Sequence, residues 1–211
     1  MDQKIVYNCF CFYLSMNLEK LALFSGMLVG DGYVSNRKNG FGYTTYSISL
    51  FNTKRELVEL FYNLHFDLFG EKGKIGCRKR KGRKDLYQFC KYSKISFDYV
   101  VNDLGIPYGK KAAKVRIPKI ILESKEDIVK LYFFLGLLIT DGFVNKKGVI
   151  GFHMASKNLL IDLNKLITCL WGFDKEVKTV IQKKKYFSYQ LNLNKGESKR
   201  ILSDIFFAAI A

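Results

Sequence analysis

Proline is almost missing from this chain: only Pro107 and Pro118 occur in 211 residues. Both fall between Gly105 and Ser124, in the stretch GIPYGKKAAKVRIPKIILES, where no clear period holds, and this stretch reads as a linker. Histidine is as scarce, with His65 and His153 alone, and the five cysteines (Cys9, Cys11, Cys77, Cys90 and Cys169) form no CxxC pair. A tetrahedral zinc site of the usual spacing is thereby excluded. We read the cysteines as reduced, mostly buried thiols of an intracellular protein, not a secreted one. No apolar run reaches the about 20 residues that cross a bilayer, Leu131 to Ile139 being too short, so no membrane span is expected. Val6 to Leu14 is apolar but lacks the basic start and cleavage site of a secretory signal. It reads as an added strand or as an extension preceding Met16.

Acid is short as well, with 19 Asp plus Glu against 35 Lys plus Arg and a net charge of +16. Such a surface draws polyanions over a long range, which makes nucleic acid the leading partner ahead of acidic lipid. The apolar fraction, 48%, is enough to bury a core, which excludes a disordered chain.

Periodicity gives an order of elements. Asn17 and Glu19 cap a helix over Leu18 to Gly30, and alternation over Phe41 to Phe51 makes a half-buried strand, with Thr44, Tyr46, Ile48 and Leu50 on one face and Tyr43, Thr45, Ser47 and Ser49 on the other. Thr53 with Glu56 reads as a capping box before a helix through about Leu68. Strands near Lys74 to Arg80 and Asp85 to Lys91 lead to a helix near Ser93 to Leu104. Beyond the linker the order returns: a helix over Ser124 to Thr140 capped by Ser124 and Asp127, strands near Gly142 to Lys147 and Val149 to Ala155, and a helix over Lys157 to Leu170. Strands near Glu176 to Lys183 and Tyr186 to Asn194 and a closing helix complete it. The chain is therefore α+β, with two tandem pseudo-symmetric αββαββα halves at 17–105 and 125–211, an extension at 1–16 and a linker at 106–124.

The repeat is visible residue by residue. Phe24 to Gly32 reads FSGMLVGDG and Phe134 to Gly142 reads FLGLLITDG. Gly26 with Gly30, and Gly136 with Thr140, place small residues four apart, which lets two helix backbones approach closely. Packed so, the helices bring Asp31 and Asp141 together at their C-terminal ends. Two close carboxylates repel unless cations sit between them, and hard oxygen ligands with open positions suit Mg²⁺, with Mn²⁺ expected to substitute. Paired metals there can generate hydroxide and stabilise both oxygens of an in-line phosphoryl displacement.

These motifs, the order of elements and the LGIPYGKK linker resemble those of two-repeat LAGLIDADG homing endonucleases over nearly all of Asn17 to Ala211. The resemblance implies a saddle of two four-stranded antiparallel sheets straddling double-stranded DNA, and staggered, metal-dependent cuts across the minor groove of a long asymmetric target. It implies Asp31 and Asp141 as metal ligands and catalytic acids, assisted by the carbonyls of Gly30 and Thr140. A basic helper maps onto Lys110 or Lys111, with Lys94 and Lys195 as weaker candidates. A glutamine frequent in the family falls here near Phe51, and near His153 or Met154; Asn52 or His153 are the candidate substitutes. The implied protein is a monomer encoded in an intron or intein-like element, in an archaeal cytoplasm or an organelle. The rivals on this fold are an intron maturase that binds intron RNA, and a non-catalytic DNA-binding protein.

For the DNA-facing surface, Lys72 to Lys84 holds eight basic residues and no acid, across a hairpin turn. Alternation puts Lys74, Arg78 and Arg80 opposite Ile75 and Cys77, and the turn adds Arg83 and Lys84. The matching ribbon of the second half offers Lys178 and Gln182, turn residues Lys184 and Lys185, and Ser188, Gln190 and Asn192 alternating with apolar neighbours. Arg37, Lys38, Tyr43, Ser47, Ser49, Lys91, Lys146, Lys147 and His153 complete the expected contact set.

Overall fold

The computed structural model describes residues 17–38, 40–110, 113–182 and 186–210, so the expectations for 1–16, Lys111, Lys184 and Lys185 lie outside the described residues. The first half runs α1 (Leu18–Gly30), β1 (Gly32–Lys38), β2 (Thr44–Asn52), α2 (Arg55–Phe69), β3 (Lys74–Arg78), β4 (Leu86–Tyr92) and α3 (Lys94–Asp98), which continues as a π-helical turn over Tyr99–Asp103. A short α4 (Lys119–Leu122) precedes the second half: α5 (Asp127–Thr140), β5 (Gly142–Val144), β6 (Ile150–Met154), α6 (Lys157–Trp171), β7 (Lys178–Gln182), β8 (Tyr186–Asn192) and α7 (Lys195–Ile210). Each half forms one antiparallel four-stranded sheet, ordered β1-β2-β4-β3 and β5-β6-β8-β7. This is the expected α+β repeat.

Hydrophobic residues on all sides of α1 bury it from Leu21 through Val29, as an all-apolar helix requires. Its start is the expected one, the Asn17 side chain accepting from the Lys20 amide at 2.9 Å. Its partner is α5, and the contact is backbone on backbone. A Cβ built on Gly26 would lie 2.3 Å from the Phe133 carbonyl oxygen, and one on Gly136 would lie 2.4 Å from that of Leu23. Around this pair, Phe24, Phe61, Phe89, Phe133, Phe134 and Phe152 fill one core that runs through both halves.

Several local expectations need correction. Helix α2 starts at Arg55 with Lys54 as its N-cap and no side-chain cap, so Thr53 and Glu56 form no capping box. The carboxamide oxygen of Asn52 accepts from the Lys54 amide instead, at 2.8 Å. Helix α5 begins at Asp127 rather than Ser124, with Glu126 as N-cap. The linker is packed as well: Ile106, Val115, Ile117 and Ile121 are buried in the core, which is no departure from the reading of 106–124, and Arg116 grips the buried Asp162 of α6 through Nε and Nη2 at 2.9 and 2.7 Å. Among the described residues Cys77, Cys90 and Cys169 are free thiols, but Cys77 and Cys169 are exposed and Cys90 half-buried, against the expectation of burial, because β3 and the outer face of α6 leave Cys77 and Cys169 uncovered. Among the described residues no helix is long and apolar enough to cross a membrane.

Candidate functional site

Both motif helices stop at an aspartate, and their ends meet. The backbone of Asp31 leaves the helix at φ −81° and ψ 0°, and that of Asp141 at φ −112° and ψ −8°, its amide still bonded to the Leu137 carbonyl at 2.9 Å. A Cβ built on Gly30 would fall 3.5 Å from the Asp141 Cβ and 2.1 Å from Thr140 Oγ1. The small residue at position 30 therefore lets the Asp141 end of α5 lie against the Asp31 end of α1. Thr140 keeps its hydroxyl on its own helix, donating to the carbonyls of Gly136 (2.8 Å) and Leu137 (3.2 Å).

Strand β2 passes alongside and adds a residue to this corner. Asn52 Nδ2 donates to Asp31 Oδ2 at 2.6 Å. Since its oxygen is already held by the Lys54 amide, the carboxamide has one orientation, and that orientation presents the NH₂ to the carboxylate. Register shows why the second half differs. Leu50 pairs with Gly32 and Phe152 with Gly142, so Phe51 corresponds to His153 and Asn52 to Met154. Met154 is buried and cannot donate, whereas His153 is exposed and bonds Ser188 Oγ at 2.6 Å. The two acids thus sit in matched backbone positions with unmatched neighbours.

The donor set fits a hard cation that keeps much of its water. No cluster of three or more His, Cys, Asp or Glu exists among the described residues, which leaves two carboxylates and nearby helix-end carbonyls, an oxygen-only set too sparse for a closed cage. The helix C-termini add partial negative charge that favours a cation there. Lys110 is exposed beside β1, where the Gly109 amide donates to the Val34 carbonyl at 2.8 Å. Lys94 is paired with Asp98 and lies over the Tyr46 ring, which removes it as a helper, and Lys195 starts α7.

Each sheet has one face on the helices and one turned away from them. In the first sheet Val34, Ile48, Leu50 and Phe89 share the helix side. The opposite side carries Tyr33, Ser35, Arg37, Thr45, Ser47, Ser49, Phe51, Gln88, Cys90 and Tyr92, with Lys74 and Arg78 of β3 in the same register. Arg37 stacks over Tyr33 at 5.8 Å from its ring centroid, and the phenol's hydrogen bond raises the guanidinium pKa. Ser47 and Ser49 are on the expected face but only 7% and 4% exposed, because the larger side chains of the neighbouring strands stand over them. They form its floor instead of its contact surface. Lys91 is the clearest misplacement: it shares the Ile48 face, and its ammonium lies on the Lys72 carbonyl (3.4 Å) and 4.0 Å from Glu71. Gln88, Tyr33 and Tyr92 were missed; the alternation of β4 around the apolar Phe89 was the signal for Gln88.

Lys38 ends β1 and Tyr43 precedes β2, both exposed. Arg80, Arg83 and Lys84 form the β3–β4 turn, with Arg80 Nε on the Lys84 carbonyl at 2.9 Å. In the second sheet Lys178 pairs with Gln190, which pairs with His153, and Asn192 pairs with Gly151, so these four polar residues share the face opposite Phe152 and Leu191, along with Ser188 two positions from Gln190. Gln182 pairs with Tyr186 at the far end of β7, and Lys146 and Lys147 are exposed in the β5–β6 turn.

Comparison with known proteins agrees with this geometry. A family model described as a LAGLIDADG-like domain matches residues 18–105. Over 188 residues the chain is 28% identical to part of an A-type ATP synthase subunit from Pyrococcus abyssi, covering 87% of this chain and only 17% of that protein. The homing endonuclease I-DmoI, in a crystal structure with DNA and Mn, superposes with a TM-score of 0.67 at 19% identity, over 90% of this chain and 97% of that one. The homing endonuclease I-WcaI, bound to its DNA recognition sequence, gives 0.59 at 13% identity over 90% and 80%. Residues 18–105 thus match a LAGLIDADG-like domain, the second half repeats the same motif and element order, and the whole chain shares the fold of these homing endonucleases.

Proposed function

We propose that this protein is a site-specific double-strand DNA endonuclease that works with divalent metal ions, Mg²⁺ first among them. One observation carries the reading: two aspartate-bearing helix ends abut at the pseudo-two-fold axis, between two sheets whose faces carry basic and polar side chains. The metals, when bound, supply hydroxide and charge neutralisation at the phosphate. Asp31 and Asp141 hold them, with the Gly30 and Thr140 carbonyls at hand. Asn52 fixes Asp31 Oδ2 and so sets the orientation of that carboxylate. Lys110 is the candidate for steadying charge at the scissile phosphate. The two sheets hold the duplex on either side, and their unlike faces imply an asymmetric target.

In this reading residues 17–105 and 125–211 are the two DNA-binding halves of a monomer, joined by 106–124. The relatives' DNA-bound structures, with Mn in one and Ca in another, support a divalent-metal site of this kind. A likeness confined to 17% of a much longer ATP synthase protein fits an element lodged inside a host gene, in an archaeal cytoplasm or an organelle. The test is incubation with DNA spanning the joined, uninterrupted host sequence. Cutting that stops with EDTA and with Asp31→Asn supports the proposal; binding of that DNA without any Mg²⁺-dependent cutting contradicts it.

A further inference from the structure

Two glutamines occupy the same place in the two sheets. Tyr87-Gln88 in β4 is echoed by Tyr189-Gln190 in β8, and register makes the echo structural: Gln88 pairs with Phe51 and Gln190 with His153, positions already matched through Gly32 and Gly142. Tyr87 and Tyr189 pack against the core, so both glutamines project from the outward face. Around them the matched residues differ, Cys90 against Asn192 and Gly76 against Lys178. Each glutamine lines a hollow rich in hydrogen-bonding groups, Gln88 with Arg37 and Thr45, and Gln190 with Lys178 and Asn192. Both have room and capacity for a partner. A Cβ on Gly76, beside Gln88, would meet nothing within 4 Å. Gln190 Nε2 donates to Asn192 Oδ1 at 3.3 Å, which leaves its second amide hydrogen and its oxygen for a ligand.

The glutamines also stand near the acids. The Phe51 amide donates to the Asp31 carbonyl at 3.4 Å, and Gln88 lies one strand beyond Phe51, a step of about 5 Å. The pseudo-two-fold relation gives Gln190 the same place relative to Asp141. In the major groove the bidentate partner of a glutamine is adenine, N6 donating to its oxygen and N7 accepting from its nitrogen. We infer that Gln88 and Gln190 each read an adenine, one in each half of the target, on opposite strands and equally far from its centre. This inference rests on the DNA-binding reading above. It makes the target symmetric at one pair of positions, while the unlike neighbours of the two glutamines leave the others asymmetric.

The test needs no cutting. Duplexes that bind the protein in EDTA are selected from a random library, sequenced and footprinted, and the selection is repeated with Gln88→Leu, Gln190→Leu and Gln88→Glu. The wild type should select adenine at two positions placed symmetrically about the centre of the footprint, and replacing either adenine should weaken binding about 5–150-fold, the range for one bidentate contact. Gln88→Leu should relax the choice at one of these positions and Gln190→Leu at the other, each leaving its mate intact. Gln88→Glu, which only accepts, should change the selected base at its position from adenine to cytosine. Sites lacking adenine at either position, substitutions that lower affinity for every sequence alike, or continued selection of adenine by Gln88→Glu would overturn the inference and leave the nuclease reading standing. Failure of the wild type to select any preferred DNA would overturn both.

Discussion

Gly26 and Gly136 face each other across the pseudo-two-fold axis so closely that a Cβ on either would lie 3.1 Å from the other's Cα. The neighbours on both sides are backbone atoms, which cannot rotate away. Gly26→Ala should therefore destabilise the protein by about 1–3 kcal/mol, the usual cost of overpacking a filled core, and Gly136→Ala by a similar amount. Urea denaturation followed by far-ultraviolet circular dichroism measures this. Gly40→Ala, at a position where an added Cβ meets nothing within 4 Å, is the control and should change little.

Removing the carboxamide that orients Asp31 should affect cutting more than folding. Asn52→Ala deletes the 2.6 Å bond to Oδ2 and is expected to lower the cutting rate about 10–100-fold, as loss of an outer partner of a metal ligand does. Thermal melting of the variant should fall only by what the lost bond to the Lys54 amide at the start of α2 contributes, about 0.5–2 kcal/mol. Asn52→Asp places a third carboxylate against the pair and should be worse than Asn52→Ala at equal Mg²⁺.

His65 gives the fold an acid-sensitive point. It is fully buried among Phe24, Phe69 and Phe89, with Nδ1 on the Glu71 carbonyl at 3.2 Å and no partner for Nε2. Burial, opposed by that carbonyl and by the Glu71 charge and reinforced by Lys91, lowers its pKa from 6.5 to about 4. The unfolded chain binds the proton first, so stability is complete above pH 6.5 and is lost as pH falls toward 4. The loss should amount to about 3 kcal/mol over that window. Denaturation midpoints measured across it should slope downward with acid in the wild type, and the His65→Phe variant should lack that part of the slope.

Binding to DNA should be steeply salt-dependent. If the basic hairpin turn and its counterpart neutralise six or more phosphates, affinity falls about a thousandfold between about 50 and 200 mM salt. Replacing Arg78 and Arg83 together by Gln should flatten the plot of log affinity against log salt. Lys91→Gln should leave the slope unchanged, since Lys91 lies on the helix side of its strand against Glu71.

Much of this was readable from residues because it depends on local pattern. The repeated small residues announced the helix contact, Asp-Gly pairs marked the helix ends, and the alternation of Thr44 to Leu50 correctly divided β2 between two faces. What escaped was set by neighbours distant in sequence. Ser47 and Ser49 face outward by parity, yet the bulk of Tyr33 and Tyr92 on flanking strands decides that they are floor. Lys91 turned out to share a face with the apolar Ile48, a register that β4 alone does not reveal. The linker lacked a period because its buried residues, Ile106, Val115, Ile117 and Ile121, pack singly against elements of both halves. Asn52 was a candidate substitute for a missing glutamine; its hold on Asp31 and on the start of α2 appears only once the strand and two helices are brought together.

The most direct test of the account is to replace Asp31 and Asp141 by Asn, singly and together, and follow both strands of a bound target by end-labelling in Mg²⁺. If the abutting helix ends share the metal ions, each single variant still binds the target yet loses double-strand cutting, and the double variant cuts neither strand. Persistent cutting of both strands by the double variant would place the chemistry elsewhere on the protein and contradict the account.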